Sequence, residues 1–472
     1  MPYFRITYND HTMANLIRLL LILLISVKAF SQDIQFETKF SKSLAVYQFL
    51  SSLSSRAPDN PYKKLFNLSS FNTKKYSDLI HEFELLKLNF EYEFDAYPID
   101  QKIGGYSESF LKRNLGLSND LQEFKLRSLG LVPNADLLKL CDLLMAFTPV
   151  YETVIYQPSK QHFQQQLNGI TNLIKSTNLN NHFTIASKFF NSSWDPSIPF
   201  VFCFYPLPNS RRFTATAVND VSISAIPDTL DSYNGLLSVM LHEMSHILFD
   251  EKPLETWKQI DEWFTSNPSR VSRYAYNLFN EVLATAVANG YLYAQLNGKE
   301  NPGGWYGVKY INLMAKQVYP VVKEYLANQK SIDQNFVNSY ISLFEQHFSG
   351  WLIEMDHLMM GRRVLSENAA DFSSINRKFR SASQNGNEIS TAAIVEMKKH
   401  PTTKMIIVNK NNAEKLELIK NNFNELKDWQ FDPKRDFVYS AFLQDKTWLI
   451  VLNNVNGTIE EKLQNAVITP PK

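Results

Sequence analysis

The chain has 472 residues, 44% of them hydrophobic and 20% charged, a balance that excludes extended disorder and allows two to four domains with a sizeable core. Lys and Arg number 48 against 47 Asp and Glu, and the resulting net charge of +1 gives no electrostatic basis for binding nucleic acid or an anionic membrane surface. Only 15 Gly, against 33 Phe and 22 Tyr, predict a helix-rich body packed with aromatic rings.

Leu19 to Val27 is an almost wholly apolar run, preceded by Arg18 and followed after Lys28 by Ala29-Phe30-Ser31. Small residues at the first and third of those places fit signal-peptidase cleavage before Gln32, so residues 1–31 are predicted to be a signal peptide whose true start is Met13. The destination is the periplasm or the exterior; the alternative is an apolar first helix of the fold. No Cys follows the run, which argues against a lipid anchor. No other apolar run approaches the ~18 residues a transmembrane helix needs.

Residues 32–180 are predicted to form a helical lobe. Leu44, Tyr47, Leu50 and Leu53 recur at helical spacing, as do Leu79, Phe83, Leu86 and Phe90, and then Leu137, Leu140, Leu144 and Phe147. Cys141 and Cys203 are the two cysteines; they either pair in an oxidising compartment or stay buried as thiols. From Ile198 the period changes. Phe200 to Tyr205 reads as a strand, and Phe213 to Ile226 holds alternating segments with Val221, Ile223 and Ala225 on one side. If the last strand of this small sheet is an open edge, it offers main-chain hydrogen bonds to an extended peptide.

Leu236 to Phe249 reads LLSVMLHEMSHILF, apolar enough for a buried helix, with Asp231, Ser232 and Gly235 before it and Asp250, Glu251 and Pro253 after it as boundary signals. His242 and His246 are one turn apart, so both imidazoles leave the same face and reach a single ion, while Glu243 stands beside them. Two neutral imidazoles suit Zn²⁺, and a catalytic zinc site adds a third protein ligand and an open position for water. Glu243 is then placed to act as general base. A chance HExxH in a core helix is the competing explanation.

Asp250, Glu251, Glu255, Asp261, Glu262 and Glu281 are the acidic candidates for the third ligand. The stripe Leu254, Trp257, Ile260 and Phe264 turns inward and leaves Glu262 to solvent. Glu281 lies in a helical pattern running from Asn267-Pro268 to Asn297-Gly298, among Leu278, Ala284, Thr285 and Ala288. A carboxylate on such a face is costly unless it binds a metal or pairs with a cation such as Arg270 or Arg273.

HEMSH together with Asn280-Glu281-Val282-Leu283-Ala284-Thr285 resembles the gluzincin group of zinc metallopeptidases, with HExxH on one helix and a glutamate, often within NExxSD, on the next. The resemblance covers about 200–320. It implies His242, His246 and Glu281 as ligands of one zinc per chain, Glu243 as general base and a peptide or protein as substrate. Two departures stand out: 34 residues separate His246 from Glu281, longer than in thermolysin-like members, and Thr285 replaces the Asp that orients a ligand His. The metzincin pattern fails because Phe249 stands where it needs Gly and no third His follows.

Gluzincins usually add a donor for the tetrahedral oxyanion. Tyr306 and Tyr310, after the Pro302-Gly303-Gly304 loop and beside the helical run Ile311 to Tyr319, are the candidates. His347 and His357, on an aromatic helical pattern from Val337 to Met360, are weaker ones and read as packed or surface groups. A composition shift after Asn376 marks a boundary, followed by a strand at Met405 to Val408, a helix at Ala413 to Leu426, and strands at Phe437 to Leu443 and Trp448 to Leu452.

The expected fold is α+β and mainly helical. It has a signal peptide at 1–31, a helical lobe at 32–180, a gluzincin-like catalytic region of small sheet followed by active-site helices at 181–375, and a small α/β module at 376–472. The expected function is that of an exported zinc metallopeptidase. The alternative is a secreted or envelope binding protein that keeps the fold without catalysis.

Overall fold

The computed structural model describes residues 33–464 and 468, except 102, 212 and 380–382; the expected signal peptide and its cleavage site lie outside the described residues. The described chain is α+β and mainly helical, with two small mixed sheets and one short hairpin.

Strand β1 (Phe36–Phe40) is the first element of the described residues, β2 (Glu91–Glu93) and β3 (Ile103–Tyr106) form the hairpin, and β4 (Phe200–Leu207), β5 (Ala215–Val218) and β6 (Val221–Pro227) complete the first sheet. Its order is β1-β4-β6-β5, with β5 antiparallel and the other pairs parallel. The region 32–180 is therefore not purely helical, since β1 joins the sheet of the following region. β4 is apolar at every position because both its faces are covered. Phe200, Phe202 and Phe204 enter the core of the site helices, while Val201, Cys203 and Tyr205 enter the N-terminal core around Leu44, Leu140 and Phe147. Cys141 and Cys203 are separate buried thiols.

The last strand, β6, is an inner one, so the condition for docking a peptide on its edge is not met. Asn219 at φ +51 turns the chain tightly between Val218 and Val221, so β5 folds back along β6 and itself becomes the edge.

In the second half, helices Asn234–Asp250, Leu254–Ser266, Ser272–Ala284, Lys309–Ala327 and Gln334–Phe348 pack into one core with one face of β4. Two expected helices differ. The one expected from Pro268 begins at Ser272, because the Asn267 side chain accepts the Ser269 N–H and holds the intervening residues in a turn. It also widens into a π-helical stretch, Thr285–Leu292, before ending at Gly298 with φ +68. Within that stretch Gly290 makes room for the Trp305 ring, which a Cβ there would approach to 2.8 Å. The aromatic pattern from Val337 to Met360 breaks at Ser349-Gly350 into a 3₁₀ turn, Ser349–Ile353, and the short helix Met355–Leu358, as a glycine inside a helix favours.

The second sheet contains β7 (Arg362–Ser366), β8 (Ser383–Gly386), β9 (Thr403–Val408), β10 (Phe437–Phe442) and β11 (Trp448–Asn453), in the order β10-β11-β9-β7-β8. It thus starts ahead of the expected boundary after Asn376. The Arg362-Arg363 pair hides β7 in the sequence, yet Arg362 is buried because Met359 O, Asn376 Oδ1 and Phe379 O accept from its guanidinium. One face of this sheet (Val364, Met405, Ile407, Ile450) joins the core of the site helices, and the other (Leu365, Ile406, Val408, Leu449) packs under the module's own helices Thr391–Lys399 and Asn412–Asn422. Tyr274 ties the two regions together: its hydroxyl accepts the Trp448 N–H at 3.0 Å and bonds Thr403 Oγ1 at 2.9 Å. No helix among the described residues is long and apolar enough to cross a membrane.

Candidate metal centre

Helix Asn234–Asp250 buries Leu236, Leu237, Met240, Leu241, Met244 and Leu248, and leaves Val239, Glu243, His246 and Asp250 on its partly open side. His242, one residue before Glu243, is almost fully buried. Its Nε2 lies 3.0 Å from His246 Nε2. Glu281, on helix Ser272–Ala284, brings Oε2 to 3.5 Å from each of those nitrogens. The three residues brought together are thus the three that the sequence singled out, and as a group they could hold a metal ion.

The donor set fits a cation in its spacing. Ligands about 2.0–2.2 Å from a tetrahedral ion stand about 3.3–3.6 Å from one another, close to the 3.0, 3.5 and 3.5 Å edges here. It fits also in what it lacks. Glu281 Oε2 is buried with no hydrogen-bond partner, and the two imidazole Nε2 atoms are turned toward each other at 3.0 Å. Neither Arg270 nor Arg273 is the ion-pair partner of Glu281; Arg273 lies 3.9 Å from Asp261.

Asn280 supplies a positioning contact that spacing arguments missed. Its Oδ1 accepts from His246 Nδ1 at 2.8 Å, so that in the neutral ring the proton sits on Nδ1 and Nε2 carries the lone pair on the side of His242 and Glu281. The signal was present in the Asn280-Glu281 pair, where the side chain before the ligand glutamate reaches back to the other helix. Thr285 is fully buried with its hydroxyl unpartnered, as is His242 Nδ1. No described residue orients His242 through that nitrogen.

The electrostatics favour positive charge. Burial opposes protonation of His246, but the Glu281 carboxylate, the Glu243 charge and the Asn280 bond outweigh it and raise the pKa to about 9. Burial likewise opposes ionisation of Glu281, and the facing imidazoles of His242 and His246 outweigh it, holding the carboxyl well below the usual carboxylate range.

Of the two candidate tyrosines, only Tyr306 reaches the centre. Its ring centroid is 5.6 Å from that of His242, and burial together with the Glu281 carboxylate and the Glu243 charge pushes its phenol above the usual value. The loop carrying it is fixed by Asn312 Oδ1, which accepts the Trp305 N–H at 2.7 Å. Tyr310 points elsewhere and donates to Glu354 Oε2 at 2.8 Å. His347 is exposed, and His357 is buried among aromatic rings with Nδ1 3.0 Å from Trp351 O.

A cavity of 320 Å³ opens beside Glu281 and Tyr306, walled further by Leu278, Val308, Ile311 and Met360. Set against protein-family models, curated proteins and solved structures, the chain matches none.

Proposed function

We propose that the chain is an exported zinc-dependent metallopeptidase of the gluzincin type, hydrolysing peptide bonds with Glu243 as general base. His242, His246 and Glu281 would hold one zinc ion per chain. The observation that carries the reading is the close triangle of these three side chains with Glu243 adjacent on the open side of the helix. Export rests on the apolar run Leu19 to Val27.

When bound, zinc supplies a Lewis acid that lowers the pKa of a water to about 7. Glu243 accepts a proton from the attacking water as the new C–O bond forms at the scissile carbonyl. It returns that proton to the amine nitrogen as the C–N bond breaks. The Tyr306 phenol, kept protonated by its surroundings, donates a hydrogen bond to the oxyanion that develops. Asn280 holds His246 in the tautomer a ligand needs. β5, the free edge of the first sheet, packs along the site helix and offers main-chain groups to an extended peptide.

The test is metal content by mass spectrometry on protein starting at Gln32, wild type beside Glu281→Ala, followed by a peptide library with Glu243→Gln as control. About one zinc in the wild type, far less in Glu281→Ala, and cleavage reduced roughly 10²- to 10⁴-fold in a metal-replete Glu243→Gln are expected. No stoichiometric metal in the wild type would sink the reading. Full metal with no cleavage of any peptide would favour a binding protein.

A further inference from the structure

The cavity beside Glu281 is built as a receptor for a side chain. Tyr274, Asn277, Leu278 and Glu281 line it from one helical face, at i, i+3, i+4 and i+7. Val308, Ile311 and Met360 make it mostly apolar, and its volume of 320 Å³ has room for an aromatic ring.

One wall carries a polar atom with nothing to bind. His357 lines the cavity yet is only 2% exposed, its ring packed among Tyr274, Tyr310, Phe344 and Trp351. A carbonyl only accepts, so the contact of Nδ1 with Trp351 O places the ring proton on Nδ1. Burial keeps the ring neutral, with its pKa lowered to about 4 against the opposing effects of the Trp351 carbonyl and then Glu354. Nε2 therefore carries a lone pair, and no described residue donates to it. A ligand that enters the cavity with a donor can bond this nitrogen directly.

We infer that this cavity is the specificity pocket of the hydrolase proposed above, and that it takes an aromatic residue bearing a hydrogen-bond donor, tyrosine first, whose hydroxyl donates to His357 Nε2. The inference rests on the metallopeptidase reading for its catalytic meaning. Acidic side chains are disfavoured because no Lys or Arg lines the pocket among the described residues. Basic ones are disfavoured because the one carboxylate among those lining residues, Glu281, belongs to the proposed metal centre.

The experiment compares paired peptides, identical except for Tyr or Phe at each position flanking the cleaved bond, with wild type, His357→Phe and His357→Gln. Wild type should favour Tyr over Phe about 3- to 10-fold in kcat/KM at one position, as a single neutral hydrogen bond allows. The ratio should fall to about one in His357→Phe and recover in part in His357→Gln, which keeps an acceptor. A second arm measures calorimetric binding of N-acetyl-tyrosinamide and N-acetyl-phenylalaninamide to the zinc-loaded wild type, where the same preference is expected and no variant has to fold. Cleavage without Tyr preference overturns the pocket assignment and leaves the hydrolase standing. Tyrosinamide preference without cleavage of any peptide leaves the pocket standing and overturns the hydrolase. Equal binding of the two amides, or a Tyr-to-Phe ratio unchanged in His357→Phe, overturns the role given to His357.

Discussion

Replacing Asn280 by Ala isolates the second layer of the candidate metal centre. The substitution removes one contact, the 2.8 Å bond from His246 Nδ1 to Asn280 Oδ1, and leaves all three ligand side chains in place. His246 is 17% exposed at the side chain, so water replaces the lost acceptor poorly, and the ring is free to move its proton to the nitrogen on the side of Glu281. A neutral hydrogen bond contributes about 0.5–1.5 kcal/mol net. Partners that orient a ligand histidine typically change metal affinity by about 10- to 100-fold, or about 1.4–2.7 kcal/mol. Asn280→Ala is therefore expected to weaken zinc binding by about that factor in competition with a chromophoric chelator at pH 7. Asn280→Asp, which keeps an acceptor, should bind at least as tightly as wild type. An Asn280→Ala affinity within twofold of wild type, with the far-ultraviolet circular dichroism unchanged, would refute the idea that this amide sets the tautomer of His246.

Two further outcomes follow from the same interactions. In metal-free protein His246 is protonated at neutral pH, because its pKa is raised from 6.5 to about 9. Zinc uptake at pH 7 should then release about one proton, read by calorimetry in buffers of different ionisation enthalpy, and none if the imidazole is already neutral. The sign for stability follows. The contribution of His246 is complete below its ordinary 6.5 and is lost as pH rises through about 9, whereas that of Glu281 is present above its ordinary 4.5 and is lost in acid. The thermal midpoint of the metal-free protein should thus decline toward pH 9, and a flat profile there would contradict the charge arrangement. Tyr274→Phe strands the buried Trp448 N–H and Thr403 hydroxyl, which should cost about 1–3 kcal/mol in denaturant unfolding. Because the C-terminal sheet shares the core of the site helices, one cooperative transition should shift; two separate transitions would show that it folds apart.

How much was legible depended on whether the information was local. The site helix was readable because the helical period, the flanking polar residues and the i, i+4 histidines all lie within a short stretch, and the helix spans Asn234–Asp250 as those signals indicate. Glu281 was readable because a carboxylate on a small, apolar face needs a positive partner wherever the fold puts it. The sequence could not decide between Tyr306 and Tyr310, since both follow the same loop; the Asn312 contact and the Glu354 carboxylate direct one to the candidate metal centre and the other away. Nor could it show that β5 is the edge, because strand order depends on which surfaces cover a strand. The start of the second sheet at Arg362 was likewise hidden, since its guanidinium finds its three acceptors only in the folded chain. His357 reads in sequence as one more aromatic-patterned histidine. Only tertiary packing, which ties Nδ1 to Trp351 O and turns the ring to a cavity wall, leaves its other nitrogen unmatched. The sequence by itself singled out the three side chains that the fold brings together, because the helical spacing of the histidines and the apolar surroundings of Glu281 suffice for it. The surroundings of those ligands, Asn280 and the pocket included, were decided by the tertiary structure, because they join segments that no local periodicity relates.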